Sequence, residues 1–209
     1  MELYFAPLAC SMSTRIALYE AGGDARYIQV DTRRGEIAGG GDFRAINPLG
    51  QVPVLRMEDG DLLTENSAIL QHVARTFPAA ALLGAEADLP LVQQWLSFVG
   101  TELHKAVFTP LLGTATPEPA KQQARDKAVA RFDLLERHLS GREHLVDGFT
   151  VADAYLATVL NWCPYSGIDL ARWPAVKAYH GRMLARPSIA RAVREERALY
   201  AEEQARQAA

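Results

Sequence analysis

"ELYFAPLACSMSTRIALYEAGGDARYIQV", residues 2–30, decides the fold. Its two ends, "ELYFA" (2–6) and "ARYIQV" (25–30), are short runs of aromatic and branched residues with the composition of strands. Between them "TRIALYEAGG" (14–23) has helical spacing and halts at Gly22 and Gly23, residues suited to a helix C-terminus. The stretch reads as β-α-β.

Downstream, a polar, glycine-rich passage "RRGEIAGGGD" (33–42) gives way to "QVPVLRMEDGDLLTE" (51–65), two strands joined by Asp59 and Gly60, a strong hairpin signal. A helix from about Glu65 to Phe77 completes an α/β unit. Between Pro78 and Pro90 the composition shifts to Ala, Leu, Gly and Pro, as in a linker, and strand signals end. Leu89, Val92, Leu96, Val99 and Leu103 then recur at helical spacing, as do Ala128, Phe132, Leu135 and Leu139 beyond the separator "TPEP" (116–119). "FTVADAYL" (149–156) opens a third helix with Thr150 at the N-cap and Asp153 three positions on, a capping box. Pro174 and Pro187 each mark the first turn of a further, shorter helix. The expected organisation is an α/β domain over residues 1–78 and an all-helical domain over 88–209.

With 209 residues, 49% of them hydrophobic and 22% charged, the chain can bury a substantial core, and a globular protein is expected. A net charge of −3, with Lys and Arg dispersed among Asp and Glu, offers no general attraction to nucleic acid or anionic lipid. No stretch has the length of apolar sequence needed to span a bilayer, and "MELYFAPLAC" has no basic leader region. Cys10 and Cys163 form no disulfide framework, and with five scattered histidines they offer no zinc spacing. These features fit a reducing cytoplasm and imply no metal.

Cys10 follows a strand at the start of a helix, where unpaired backbone N–H groups and the helix dipole favour an anion. In "CSMS" (10–13) Ser13 stands where a dithiol oxidoreductase carries its second cysteine, so a disulfide of Cys10 would have to be with another molecule. A small buried thiol is the equal alternative. In "NPLGQVPVL" (47–55) Pro53 implies an edge, a strand start or a cis peptide; a cis bond would leave Val52 free to pair with an extended peptide, whereas an ordinary strand-start proline would do nothing of the kind. Thr64, Glu65, Asn66 and Ser67 start a helix. They suit either plain capping or an amino-acid head group, with the amides taking its carboxylate and Glu65 its ammonium. His104 and Lys105 in "TELHKAV" (101–107) are either solvated helical residues or two groups along a cleft. Trp95, Phe98, Trp162 and Tyr165 suit core packing or an apolar pocket, and Cys163 suits the core.

Together these motifs resemble the glutathione S-transferases, and the bacterial beta class most closely. "LYFAPLACSMS", "INPLGQVPVL", "LLTENSAIL", "ELHK" and "FTVADAYL" occur in the family's order and at about its spacing, over nearly the whole chain. The resemblance implies a thioredoxin-like N-terminal domain, an all-α C-terminal domain and a homodimer. It implies a cis peptide before Pro53, Val52 pairing with the backbone of glutathione, Glu65 and Asn66 at the γ-glutamyl head, and Cys10 near the glutathione sulfur. His104 and Lys105 match a helical-domain pair lining the same cleft, where a cation would favour a thiolate. "FTVADAYL" is chiefly a folding motif in this family. Where beta-class members commonly carry a lysine near the glycyl end, this chain has Gly35 after Arg33 and Arg34, and Arg34 is the candidate replacement.

The function so implied is activation of the glutathione thiol for conjugation to a small apolar electrophile, with glutathione as co-substrate. The same residues fit a thiol transferase or reductive dehalogenase that uses Cys10 covalently. They also fit a ligand-binding protein without turnover, since fold does not fix function.

Overall fold

The computed structural model describes residues 1–208, with side chains as far as Arg206. The opening stretch folds as β1 (Glu2–Phe5), α1 (Met12–Ala21) and β2 (Arg26–Asp31), and Gly22 caps α1 in the left-handed conformation at φ 62°. The glycine-rich passage hides a two-residue strand, β3 (Glu36–Ile37), absent from the expected elements because it is too short for any alternation to show. The hairpin forms as β4 (Val54–Arg56) and β5 (Leu62–Leu63), and α2 (Asn66–Thr76) follows.

The five strands make one mixed sheet in the order β3-β2-β1-β4-β5. β1 lies at its centre, parallel to β2 with Leu3 opposite Tyr27, and antiparallel to β4 with Leu3 opposite Leu55. Alternation along β1 sends Tyr4 to one face, into a cluster with Val30, Phe43 and Val54. Leu3 and Phe5 go to the other face, and α1 covers it, since the Arg15 guanidinium lies 4.3 Å over the Phe5 ring.

The chain forms two compact units, Met1–Ala80 together with the segment from Pro187 onward, and Ala81–Arg186. The helical region expected to run over 88–209 therefore loses its last helix. α9 (Pro187–Ala208) is also 22 residues long rather than short. Ile189, Ala192 and Glu196 are buried along one stripe of α9, and this helix packs on α1, where Ser188 donates to the Glu20 carboxylate. A proline at a first helical turn locates the start of a helix but says nothing about its length or its partner.

In the second unit, α3 (Leu89–Ser97) runs into a π-helical segment, Phe98–Phe108, and then α4 (Thr109–Leu112). Val99, Leu103, Val107 and Leu111 are all buried. A repeat of four drifts around an α-helix of 3.6 residues per turn, and the wider turn of a π-helix keeps such a row on one face. α5 (Glu118–Leu139), α6 (Val151–Leu160), α7 (Cys163–Ser166) and α8 (Pro174–Ala185) complete the unit. Every residue of α6 is buried, which makes it the central helix of this unit. Its capping aspartate, Asp153, accepts from the Thr150 N–H at 2.9 Å and the Thr150 hydroxyl at 3.0 Å. Among the described residues no helix is long and apolar enough to cross a membrane.

Candidate active site

The β1–α1 connection places Cys10 two residues before α1 begins, 9% exposed, with its thiol donating to the Val52 carbonyl at 3.3 Å. The Val52–Pro53 peptide is cis, and Val52 lies just before β4, outside the ladder. The start of α2 is tied to the same place. Ser13 donates to the Cys10 carbonyl at 2.7 Å and is bonded to the Asn66 side chain, whose Oδ1 also accepts from Thr14 at 3.2 Å. Cys10, Val52–Pro53 and the first turn of α2 thus form one group of residues within the first unit.

Within that group Glu65 and Asn66 divide their work. Asn66 is 8% exposed and its amide is occupied by Ser13 and Thr14, so its side chain braces α1 against α2. Its backbone N–H and that of Ser67 belong to the open donors found at every helix start. Glu65 is exposed and holds the N-cap position of α2 at φ 66°, a left-handed conformation costing a non-glycine residue about 1–3 kcal/mol. The exposed Glu65 side chain makes no capping hydrogen bond of its own and stands beside the open amides of the helix start.

Leu8 is the second non-glycine residue of this unit in the left-handed region, at φ 61°. Its N–H donates to Glu196 Oε2 at 2.7 Å, from α9. Arg15 of α1 reaches the other oxygen, Oε1, with Nε at 2.9 Å, in ionic contact without a well-aligned hydrogen bond. Burial pushes the Glu196 carboxyl up to about 7, against the opposing pull of Arg15 and the Leu8 amide. Sequence reasoning passed over both residues. The one available signal was Arg15 itself, a charge between the buried positions Thr14 and Ile16 that needs a partner.

Arg34 lies in the β2–β3 turn with an exposed guanidinium 4.0 Å from Asp31. Gly35 beside it has φ 75°, and a Cβ there would fall 2.4 Å from the Arg44 guanidinium, so any side chain at this position would have to displace Arg44. Arg44 fills that space and donates to the Arg34 carbonyl at 3.3 Å.

His104 and Lys105 stand on the π-helical segment of the second unit. His104 Nδ1 is 2.7 Å from the Tyr155 hydroxyl of α6, and its ring meets Trp162 edge to face at 5.0 Å. Burial, and next the charge of Lys105, depress its pKa to about 4, so the imidazole is neutral near pH 7. The cation expected at this pair is therefore Lys105, which is exposed. Tyr155 was not singled out in the sequence, because its position between Ala154 and Leu156 reads as core. When the phenol donates to Nδ1, the ring proton sits on Nε2. Trp95 packs against Phe98 at 5.5 Å and His138 at 4.4 Å, Trp162 packs on Phe108 at 5.6 Å, and Tyr165 is 70% exposed. Cys163 is 1% exposed with its thiol pushed to about 12 by burial, an inert core residue.

A thiol-bearing strand-to-helix turn beside a cis-proline and an open helix start, with a second unit made only of helices, defines a class of two-part thiol-handling proteins. The glutathione S-transferase N-terminal domain matches residues 9–76 and the C-terminal domain of that family matches residues 98–187. This chain belongs to the glutathione S-transferase family. It is 38% identical over 193 residues to glutathione S-transferase GstA of Escherichia coli O157:H7, covering 90% of this chain and 95% of that one. Among solved structures it resembles the ternary complex of BphK, a bacterial glutathione transferase, with TM-score 0.90 and 40% identity over 94% of this chain and 99% of that one. A sphingomonad glutathione S-transferase complexed with glutathione gives TM-score 0.89 at 41% identity, covering 94% and 98%. The beta-class enzyme of Sphingomonas chungbukensis gives 0.89 at 37% identity, covering 94% and 98%.

Proposed function

We propose that this protein binds reduced glutathione beside Cys10 and conjugates it to a small apolar electrophile. The glutathione thiol gives up its proton to solvent, its sulfur bonds to the electrophilic carbon, and the leaving group departs with the bonding pair. The reading rests on one observation above all, the Cys10 thiol 3.3 Å from the Val52 carbonyl in a group completed by the start of α2. An extended peptide pairing with Val52 competes for that carbonyl and brings its own thiol to Cys10. The γ-glutamyl head then meets the α2 amides and Glu65, and Arg34 meets the glycyl carboxylate. From the second unit, His104 as a neutral hydrogen-bonding group and Lys105 as a positive charge are the residues assigned to catalysis. Conjugation takes precedence over covalent chemistry at Cys10 because the similar proteins are named glutathione S-transferases. A homodimer working in a reducing cytoplasm is part of the same proposal.

The test is calorimetric titration with glutathione, followed by turnover of an aryl halide by the wild type and Cys10→Ser. Saturable binding with turnover that survives the substitution is expected, because a serine hydroxyl still donates to the glutathione sulfur. Turnover lost while binding remains would move the reading to covalent use of Cys10. A wild type that binds no glutathione would sink both.

A further inference from the structure

Glu196 takes no part in the proposed contacts to glutathione, yet its carboxylate is fully buried and grips the chain on both sides of Cys10. Oε2 holds the N–H of Leu8, two residues before the thiol, and Oε1 faces Arg15, five residues after it. The Arg15 guanidinium is fixed in turn, stacked 4.3 Å from the Phe5 ring and 4.0 Å from the Tyr27 ring. Leu8 takes a backbone conformation that leucine disfavours. The geometry points to Glu196 as a positioning residue for the proposed conjugation: its carboxylate holds Leu8 in the left-handed conformation and thereby sets the direction in which Cys10 presents its sulfur.

Mechanically, the connection is short and well bonded. Ala9 donates to the Ala6 carbonyl at 3.1 Å, Met12 to the Ala9 carbonyl at 3.0 Å, and Ser11 Oγ meets the Ala6 N–H and C=O at 3.3 and 3.2 Å. A turn tied so closely moves as one piece, so rotation at Leu8 swings Cys10 relative to Val52. The charged groups that act on Glu196 are Arg15 from α1 and Glu195 from α9 itself, while Tyr19, Tyr27 and Arg191 are grouped around Arg15 and Glu195. Tyr19 donates to Glu195 at 2.5 Å, and Arg191 pairs with Glu195 at 2.8 Å. Arg15 is the one opposing charge that acts on Glu196, and it is shared, since its guanidinium also lies 3.4 Å from Glu195. Ionised, Glu196 makes a charge-assisted bond to the Leu8 N–H; protonated, it makes a weaker one, so the clamp tightens as pH rises through neutrality.

This inference rests on Cys10 meeting the glutathione sulfur, and the experiment separates the two. Between pH 5.5 and 8.5 the rate of Cys10 alkylation by iodoacetamide is measured for the wild type and Glu196→Gln, alongside glutathione affinity and kcat with an aryl halide. Cys163 is silent to the reagent, being buried with its thiol raised to about 12. The expected result is a fall of roughly tenfold in kcat for Glu196→Gln with glutathione affinity kept, as loss of orientation predicts. The wild-type alkylation profile is also expected to carry an inflection near 7 that the variant lacks. Unchanged kcat and profile overturn the proposal, and so does a lowered kcat with the inflection intact, which a purely structural role would give. If the wild type binds no glutathione, the transferase reading fails and the alkylation profile still decides the clamp. Should the variant not fold, the wild type labelled with 15N-leucine suffices: the Leu8 amide is expected to shift with a midpoint near 7, and a flat amide overturns the proposal.

Discussion

Asp153 and Glu196 are both 0% exposed, one in each unit, and burial raises the pKa of both, but their oxygens are met very differently. Asp153 has two donors on each oxygen: Leu145 N–H at 3.0 Å and the Tyr179 hydroxyl at 2.9 Å on Oδ1, and the Thr150 N–H and hydroxyl on Oδ2. Glu196 has one well-aligned donor, the Leu8 N–H, and a charge partner off the hydrogen-bond line. A carboxylate with every lone pair satisfied fixes a fold. One with an acceptor oxygen to spare can change its charge near neutrality, and through Leu8 it reports that change to the thiol.

The contrast is open to direct attack. Its largest expected effect is on Asp153→Ala, which leaves the Leu145 and Thr150 amides and the Tyr179 hydroxyl buried without their acceptor; urea unfolding should show a loss of about 3–5 kcal/mol. A loss under about 1 kcal/mol would mean that the second unit repacks around the site and that full satisfaction carries no special weight.

Next in size is the pH dependence of Glu196. Its folded pKa of about 7 lies above the unfolded value, so the folded state binds the extra proton, and stability present below about pH 4.5 is lost as pH rises through 7. Glu196→Gln has no proton to lose, and its unfolding free energy should gain on that of the wild type by roughly 2 kcal/mol between pH 5 and 8. Parallel curves for the two proteins would break the distinction from Asp153.

The smallest effect is the exposed pair of Arg125 with Glu118 on α5. Arg125→Ala should change stability by less than about 0.5 kcal/mol, because solvent screens the pair and ordering two long side chains offsets its attraction. A larger loss would show that charge removal anywhere in this chain is costly, and the buried carboxylates would cease to be special.

Elements that announce themselves through neighbours in sequence were legible. The β-α-β opening, the hairpin across Asp59 and Gly60, α2 and the Thr150–Asp153 cap all formed where short-range patterns put them. Cys10, Val52–Pro53, Glu65 and Asn66 were visible as a set, though only through a resemblance of motifs. Their own spacing does not say that Ser13 holds Asn66 or that the Cys10 thiol reaches Val52. β3 was too short to show, and the length and packing of α9 depended on partners at the other end of the chain.

Asn66 and His104 show why the remainder was hidden. Either could have been a free polar group, and the side chains facing them decided otherwise: Ser13 and Thr14 occupy the Asn66 amide, while burial keeps His104 neutral with Nδ1 against Tyr155. Periodicity, capping and turn chemistry act over a few residues, so the sequence by itself determined the main strands and helices, β3 excepted, and the motifs that resemble a glutathione transferase. Burial and pairing arise between residues far apart in the chain, as Leu8 and Glu196 are, so only the tertiary structure decided which of those polar groups hold a charge, which hold the fold, and which hold the thiol.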